Sequence, residues 1–491
     1  MTPHLRTLIP ALLISLAVLA ASCNYSYAQT VKEWSWSRNV HLADLALADV
    51  DGDGVYEVVA AFTNGVVCAV EVNGPQLWSI SLSSMVHTRC GMVVEDVDDD
   101  GVDEVLIPLF SRDDGYVACM VDSGQILWTY SEEYPANVMG GVHVADVDND
   151  GHLEAIVLEG HFVEDYDNPS KVLVLDARSG AVEVSYQHST TLGGYDSVLY
   201  DLDRDGHVEV LVHDERGCID IFEVLQGLVR LEYQYRVGPG VTTGYGEGHH
   251  ALGDFDGDGL LEVLVADRQQ GVVWEVDSLG VNKYSVAWLV RGYSLDTLVA
   301  INWDGDQVMD YAGVSRDHKH LYVFEGSKLL YSLDVNASGE PIVVGFSNGS
   351  SMVGLWLNGG YLFVKSGSGE VVWSKEGATY VANGDSCCRG LRVGDVDADG
   401  AVEVVYFLDD GARQELYIDE LQSGLSSWTV HGLDCNHTRN IYLRCVAWTC
   451  SRVDESYSST PAQVALAQRL EAVVVLVALA SSILIVELVE R

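Results

Sequence analysis

Apolar residues along the chain fall in short runs bounded by turn residues, and the runs return with a long period. Leu45-Ala46-Leu47-Ala48 leads into an acidic stretch, and Val58-Val59-Ala60-Ala61-Phe62 leaves it. An Asn64-Gly65 turn then opens Val66-Val67-Cys68-Ala69-Val70, and Asn73-Gly74 opens Gln76-Leu77-Trp78-Ser79-Ile80. Runs this short, rich in β-branched residues and punctuated by Gly and Asn, predict strands joined by hairpins. The ending recurs as Ile126-Leu127-Trp128-Thr129-Tyr130 and Val371-Val372-Trp373-Ser374. Four antiparallel strands in each block of about 50 residues make one blade of a β-propeller.

The acidic stretch sets the period. It reads DVDGDGVYE from 49, DVDDDGVDE from 96, DVDNDGHLE from 146, DLDRDGHVE from 201, DFDGDGLLE from 254, NWDGDQVMD from 302 and DVDADGAVE from 395. Successive starts lie 47, 50, 55, 53, 48 and 93 residues apart. The last interval is nearly double, and within it residues 341–356, PIVVGFSNGSSMVGLW, keep two apolar runs and a turn but no carboxylate. The prediction is an all-β propeller of eight four-stranded repeats, one without its acidic loop, with seven blades as the alternative. Either Glu33-Trp34-Ser35-Trp36-Ser37 or Ser426-Ser427-Trp428-Thr429-Val430 can supply the strand that closes the ring.

Carboxylates at positions 1, 3 and 5 of a tight turn converge on one point, Gly at position 6 reverses the chain, and the acid at position 9 can complete the shell. Hard oxygen donors in a flexible loop suit Ca²⁺ better than Mg²⁺. The predicted ligand sets are Asp49, Asp51, Asp53 and Glu57; Asp96, Asp98, Asp100 and Glu104; Asp146, Asp148, Asp150 and Glu154. They continue as Asp201, Asp203, Asp205 and Glu209; Asp254, Asp256, Asp258 and Glu262; Asn302, Asp304, Asp306 and Asp310; and Asp395, Asp397, Asp399 and Glu403. That allows up to seven ions, with the sixth loop weakened by Asn302 and Gln307 in place of Asp and Gly. An EF-hand needs Glu at position 12, where the six other loops carry Ala60, Ile107, Val157, Val212, Val265 and Tyr406.

These repeats resemble the FG-GAP or VCBS repeats of integrin α-subunit propellers and of secreted microbial proteins, over about residues 40–425. The resemblance implies a calcium-stabilised extracellular propeller whose loops each hold one ion. Six loops depart from the integrin pattern by placing Glu at position 9, which leaves open direct ligation, ligation through water, or none. The Gly-x-x-x-Trp ends also resemble the outer strands of quinoprotein-type eight-bladed propellers.

The remaining composition places the chain outside the cytoplasm. With 73 acidic and 27 basic residues in 491, the formal charge is −46, which repels nucleic acid and anionic lipid. Arg6, the apolar run Leu8 to Ser22 and the small residues Ser26 and Ala28 predict a signal peptide over 1–28. Cys23 after Ala20-Ala21-Ser22 is a poor acylation box beside it. The propeller is expected over 29–432, a cysteine-containing stalk with Cys435, Cys445 and Cys450 over 433–463, and a transmembrane anchor over 464–489 around the uncharged run Ala472 to Val486. Ten cysteines and sequons at Asn336, Asn348 and Asn436 fit an oxidising, glycosylating route. Adjacent Cys387 and Cys388 pair separately, stay free or form a vicinal disulfide.

No phosphate loop or zinc-protease helix motif occurs. The residues that precede the inner strands, Asp44, Asp196, His249, His250 and Arg389 among them, form the candidate ligand site at the channel mouth. The expected function is a surface-anchored recognition or adhesion module for a protein or glycan ligand. An extracellular propeller enzyme, polysaccharide-active or quinone-dependent, and a structural envelope protein are the alternatives.

Overall fold

The computed structural model describes residues 34–36 and, with interruptions in several connections, residues 42–431. The chain divides into two compact units, Met1–Tyr442 and Leu443–Arg491, and all described residues lie in the first. The expected signal peptide, stalk and anchor lie outside the described residues. Among the described residues, no helix is long and apolar enough to cross a membrane, and every regular element is a strand.

Eight antiparallel sheets form eight blades. Blade 1 runs Leu42–Ala48, Glu57–Phe62, Val66–Val70 and Gln76–Ser81 from its inner to its outer edge. Blade 2 begins with Val93–Glu95, and a second short segment, Met85–Val86, pairs further along the same neighbour, Glu104–Phe110. Blades 3 to 6 begin at Asn137–Ala145, Leu192–Tyr200, His250–Gly253 and Leu295–Ile301, each followed by three consecutive partners. The repeat without carboxylates is blade 7: Ile342–Phe346 pairs with Ser351–Leu357 in the same inner-to-second-strand arrangement as its siblings. The third and fourth strands of blades 1 to 7 all meet across a register shift, as between Ala69 and Val70 in blade 1 and Phe363 and Val364 in blade 7. Such irregularities sharpen twist near a sheet edge, which suits blades splayed about an axis.

Ring closure falls to the N-terminal strand. Trp34–Trp36 pairs antiparallel with Gln414–Gln422 and completes blade 8, whose other strands are Leu391–Gly394 and Val402–Asp409. The competing segment, Trp428–His431, pairs instead with Ile342–Phe346 as a fifth strand at the inner edge of blade 7. Blade 8 therefore takes strands from both ends of the propeller sequence, which ties the ends together.

The core lies between blades. One cluster joins Leu45, Val58, Ala60 and Phe62 of blade 1 to Val405, Phe407, Leu416 and Ile418 of blade 8. Within it the Phe62 and Phe407 rings meet edge to face at 6.2 Å. Another cluster joins blades 7 and 8 through Phe363 and Tyr406, and each remaining neighbouring pair shares a cluster of the same kind. Burial of the second strand on both faces explains its continuous apolar run, Glu57–Phe62 being buried throughout.

The Gly-x-x-x-Trp ending has a packing reason. Gly124 sits at φ +77°, and a Cβ there would come within 2.7 Å of Trp78 from the preceding blade. Gly180 repeats this at φ +67° under Trp128, with 2.6 Å to the ring. Trp128 Nε1 also donates to the carbonyl of Ala177 at 2.7 Å. Trp78 and Trp128 thus each cover a turn glycine of the next blade.

Candidate metal centres and the opposite face

The seven acidic loops each join an inner strand to the second strand of a blade. In every one, the position 9 carboxylate accepts the backbone N–H of position 2, at 2.7–3.0 Å: Glu57 from Val50, Glu104 from Val97, Glu154 from Val147, Glu209 from Leu202, Glu262 from Phe255, Asp310 from Trp303 and Glu403 from Val396. Position 2 is apolar and buried in all seven, so its side chain anchors the loop in the core. Position 4 is left-handed in all seven, at Gly52, Asp99, Asn149, Arg204, Gly257, Gly305 and Ala398, with φ between 58° and 86°. These two regularities escaped sequence reasoning, although the alternation of apolar position 2 with carboxylates was visible.

Local hydrogen bonds hold the other acids. Asp49 Oδ2 accepts the Gly54 amide at 2.9 Å and Asp53 Oδ1 accepts the Val55 amide at 2.9 Å. The same pair of bonds recurs in the second to fifth loops, for example Gly259 to Asp254 at 3.0 Å and Leu260 to Asp258 at 2.7 Å. In the sixth loop Asn302 Oδ1 takes the Gly305 amide at 2.7 Å while its Nδ2 donates to the Asp306 carbonyl at 2.6 Å, so the turn survives without the first Asp. Asp399 in the seventh loop lies outside the described residues.

Ligand atoms of Asp201, Asp203, Asp205 and Glu209 lie within 4.8 Å of one another, as do those of Asp254, Asp256, Asp258 and Glu262, and those of Asp49, Asp51 and Asp53. Position 9 therefore belongs to the same cluster as positions 1, 3 and 5 in the fourth and fifth loops. Glu262 Oε1 and Asp201 Oδ1 are buried with no hydrogen-bond partner. Buried acceptors without a donor cost about 1–3 kcal/mol each, and a hard cation at the centre of the cluster would satisfy them. The donor set thus fits a metal of the calcium class. The position 12 residues Ala60, Ile107, Val157, Val212, Val265 and Tyr406 are fully buried in the second strands, which leaves the EF-hand pattern no ligand there.

The same burial changes the acidity of position 9. Desolvation pushes Glu57 and Glu104 up to about 7, Glu154 and Glu262 to about 8, and Glu209 to about 9, against the amide bond that lowers each and with the neighbouring Asp charges raising them further. Asp310 rises to about 7 for the same reason. Neighbouring loops are also linked. The Asp103 amide donates to the Asp49 carbonyl and Asp103 Oδ2 accepts the Asp49 amide, both at 2.8 Å. Asn149 Nδ2 donates to the Gly206 carbonyl at 2.7 Å, and Arg204 to the carbonyl of Gly259.

Strand direction puts the channel-mouth residues at the opposite end of the blades. Asp44, fully buried, accepts from Arg392 Nη2 at 2.6 Å, from the Leu45 amide at 2.9 Å and from the Met92 amide at 2.7 Å. It thereby ties blades 8, 1 and 2 together at their inner strands, and this engagement gives it a structural part. His250 starts the inner strand of blade 5, is buried, and lies 5.3 Å ring to ring from His213. His249, Arg389 and the side chain of Asp196 lie outside the described residues, as do Cys387 and Cys388.

Residues 57–152 match the lambda-carrageenase beta-propeller domain family. No curated protein matches the sequence. Among solved structures, the yeast Saccharomyces cerevisiae Sqt1 is similar with a TM-score of 0.55 at 7% identity, covering 80% of this chain and 100% of that one. The quinohemoprotein alcohol dehydrogenase from Comamonas testosteroni gives 0.54 at 11% identity, over 82% of this chain and 78% of that one. A europium-containing methanol dehydrogenase gives 0.51 at 12% identity, over 81% and 94%. The chain is an eight-bladed propeller. At such identities the likeness extends to fold alone.

Proposed function

We propose that this chain is an extracellular calcium-binding propeller of the FG-GAP or VCBS type, secreted by its N-terminal leader, anchored by its C-terminal apolar segment, and serving recognition of a protein or glycan ligand. The observation that carries the reading is the shared loop geometry. Seven acidic loops use one hydrogen-bond pattern at position 9, and two of them leave a buried carboxylate oxygen without a donor. A cation bound only by the folded state stabilises it by about 2.7 kcal/mol per site at a hundredfold excess over Kd. Thermal melting of the secreted segment against Ca²⁺ tests this, with a rise in Tm that EDTA reverses. A melting curve indifferent to both additions refutes it.

The match of residues 57–152 to a carrageenase propeller supports a polysaccharide as the ligand or substrate. The charge of −46 argues against a polyanionic chain held directly and in favour of a neutral glycan, or of a sulfated one bridged by calcium. Glycan arrays read with and without Ca²⁺ identify the ligand, and release of reducing ends from the bound polysaccharide separates an enzyme from a binding module. Binding to no glycan, with retention on a protein partner, would turn the reading toward adhesion. The quinone-dependent alternative rests on likeness of fold and is tested by cofactor absorbance in purified protein.

A further inference from the structure

We propose that His188, Asp214 and Asp220 form a second kind of metal site, for a divalent transition ion of the zinc class, buried where blade 3 meets blade 4. The site stands apart from the acidic loops and is independent of the calcium reading. His188 ends the outer strand Val182–His188 of blade 3, Asp214 ends the second strand Val208–Asp214 of blade 4, and Asp220 lies near the start of the next strand, Cys218–Leu225. Strand ends of this sense lie away from the acidic loops, which occupy the other end of the same strands. The three residues are 0–3% exposed, and their ligand atoms lie within 4.8 Å of one another.

The hydrogen bonds around these residues orient them toward a common point. His188 Nδ1 lies 3.1 Å from the carbonyl oxygen of Thr190, and donation to that carbonyl leaves a lone pair on Nε2. A ring nitrogen held by a backbone carbonyl is the usual support of a histidine ligand. Asp214 accepts the Cys218 amide on Oδ1 at 2.8 Å and the Thr190 hydroxyl on Oδ2 at 3.1 Å. Asp220 Oδ1 accepts from Gln234 Nε2 at 2.6 Å. Asp220 Oδ2, on a fully buried residue, has no hydrogen-bond partner and faces His188 Nε2 at 3.7 Å.

A separation of 3.7 Å is too long for a hydrogen bond. Donors about 2.0–2.2 Å from a tetrahedral zinc ion stand about 3.3–3.5 Å apart, so a small inward movement of either side chain would bring this pair to ligand spacing. Imidazole with two carboxylates favours a zinc-class ion over calcium. The ion would also neutralise two carboxylates buried together, and it would pin the edge strand of blade 3 to blade 4 where Phe222 packs edge-on against His188 at 5.7 Å.

The test uses the full chain, stripped with chelator and then saturated with Ca²⁺ so that the acidic loops are filled. Addition of Co²⁺ is expected to give visible ligand-field bands of a low-coordinate site at one equivalent, displaced by Zn²⁺ and unaffected by further Ca²⁺. His188→Ala and the near-isosteric Asp220→Asn should each weaken binding at least tenfold, whereas Glu209→Gln in the fourth acidic loop should leave the bands unchanged. Absence of the bands in the unmodified protein overturns the proposal. Bands that persist in Asp220→Asn with unchanged affinity overturn it equally, by placing the ion elsewhere.

Discussion

Glu209→Gln separates the two parts that position 9 plays. In the structure one oxygen of Glu209 accepts the Leu202 amide at 2.7 Å, and the carboxyl group clusters with Asp201, Asp203 and Asp205. Burial pushes its pKa up to about 9 in the metal-free protein. At pH 7 the group is therefore protonated, and ionising it costs about 2.7 kcal/mol, from about two pH units. Glutamine keeps the oxygen that caps Leu202 and resembles the neutral acid in shape. Without calcium at pH 7 the variant should melt within about 1 kcal/mol of the parent, the usual range for a volume-conserving change. With calcium it lacks a charged ligand, and Kd at this loop should rise tenfold to a hundredfold, about 1.4–2.7 kcal/mol. Paired thermal melts in EDTA and in excess Ca²⁺, with calorimetric titration of the number of tight sites, give both values. Equal losses in the two conditions would refute the reasoning, because Glu209 would then act as a charged structural acceptor; no loss in either would remove it from the ligand set.

The raised position 9 acids also fix a pH dependence. Their folded pKa values of about 7 to 9 exceed the unfolded value, so the metal-free propeller is most stable below about pH 4.5 as far as these groups are concerned, and it loses that contribution progressively as pH rises from there through the folded values of about 7 to 9. Calcium affinity moves the other way, rising over the same window, which chelated melts and titrations at pH 6 and 8.5 will show. Arg392→Met should cost about 3–5 kcal/mol by stranding the buried Asp44 carboxylate, and Asp44→Asn added to it should restore part of the loss in denaturant unfolding. Gly180→Ala should destabilise by more than Gly227→Ala. Both sit at positive φ, +67° and +68°, but only the first would drive a Cβ into a neighbouring ring, that of Trp128; equal melting shifts would show that the Trp seat adds nothing.

Much of the architecture was legible because a propeller repeats its local chemistry. The interval of 93 residues between the sixth and seventh acidic loops announced a blade without carboxylates, and Ile342–Phe346 and Ser351–Leu357 occupy its first two positions. Choosing between two apolar segments for closure was beyond the sequence, since both carry a Trp among β-formers. The outcome depends on which sheet edge each end of the chain reaches: Trp34–Trp36 reaches the outer edge of blade 8, and Trp428–His431 the inner edge of blade 7.

The chain's own pattern determined that strands would form in fours, where each turn would fall, and that carboxylates would gather in seven loops, because those features arise from residues a few positions apart. Whether position 9 meets positions 1, 3 and 5 depends on how deeply the second strand is buried, and only packing against neighbouring blades decides that. The same holds for His188, Asp214 and Asp220. They lie on two blades, and no spacing along the chain marks them as a group, because their convergence comes from the packing of one sheet on the next.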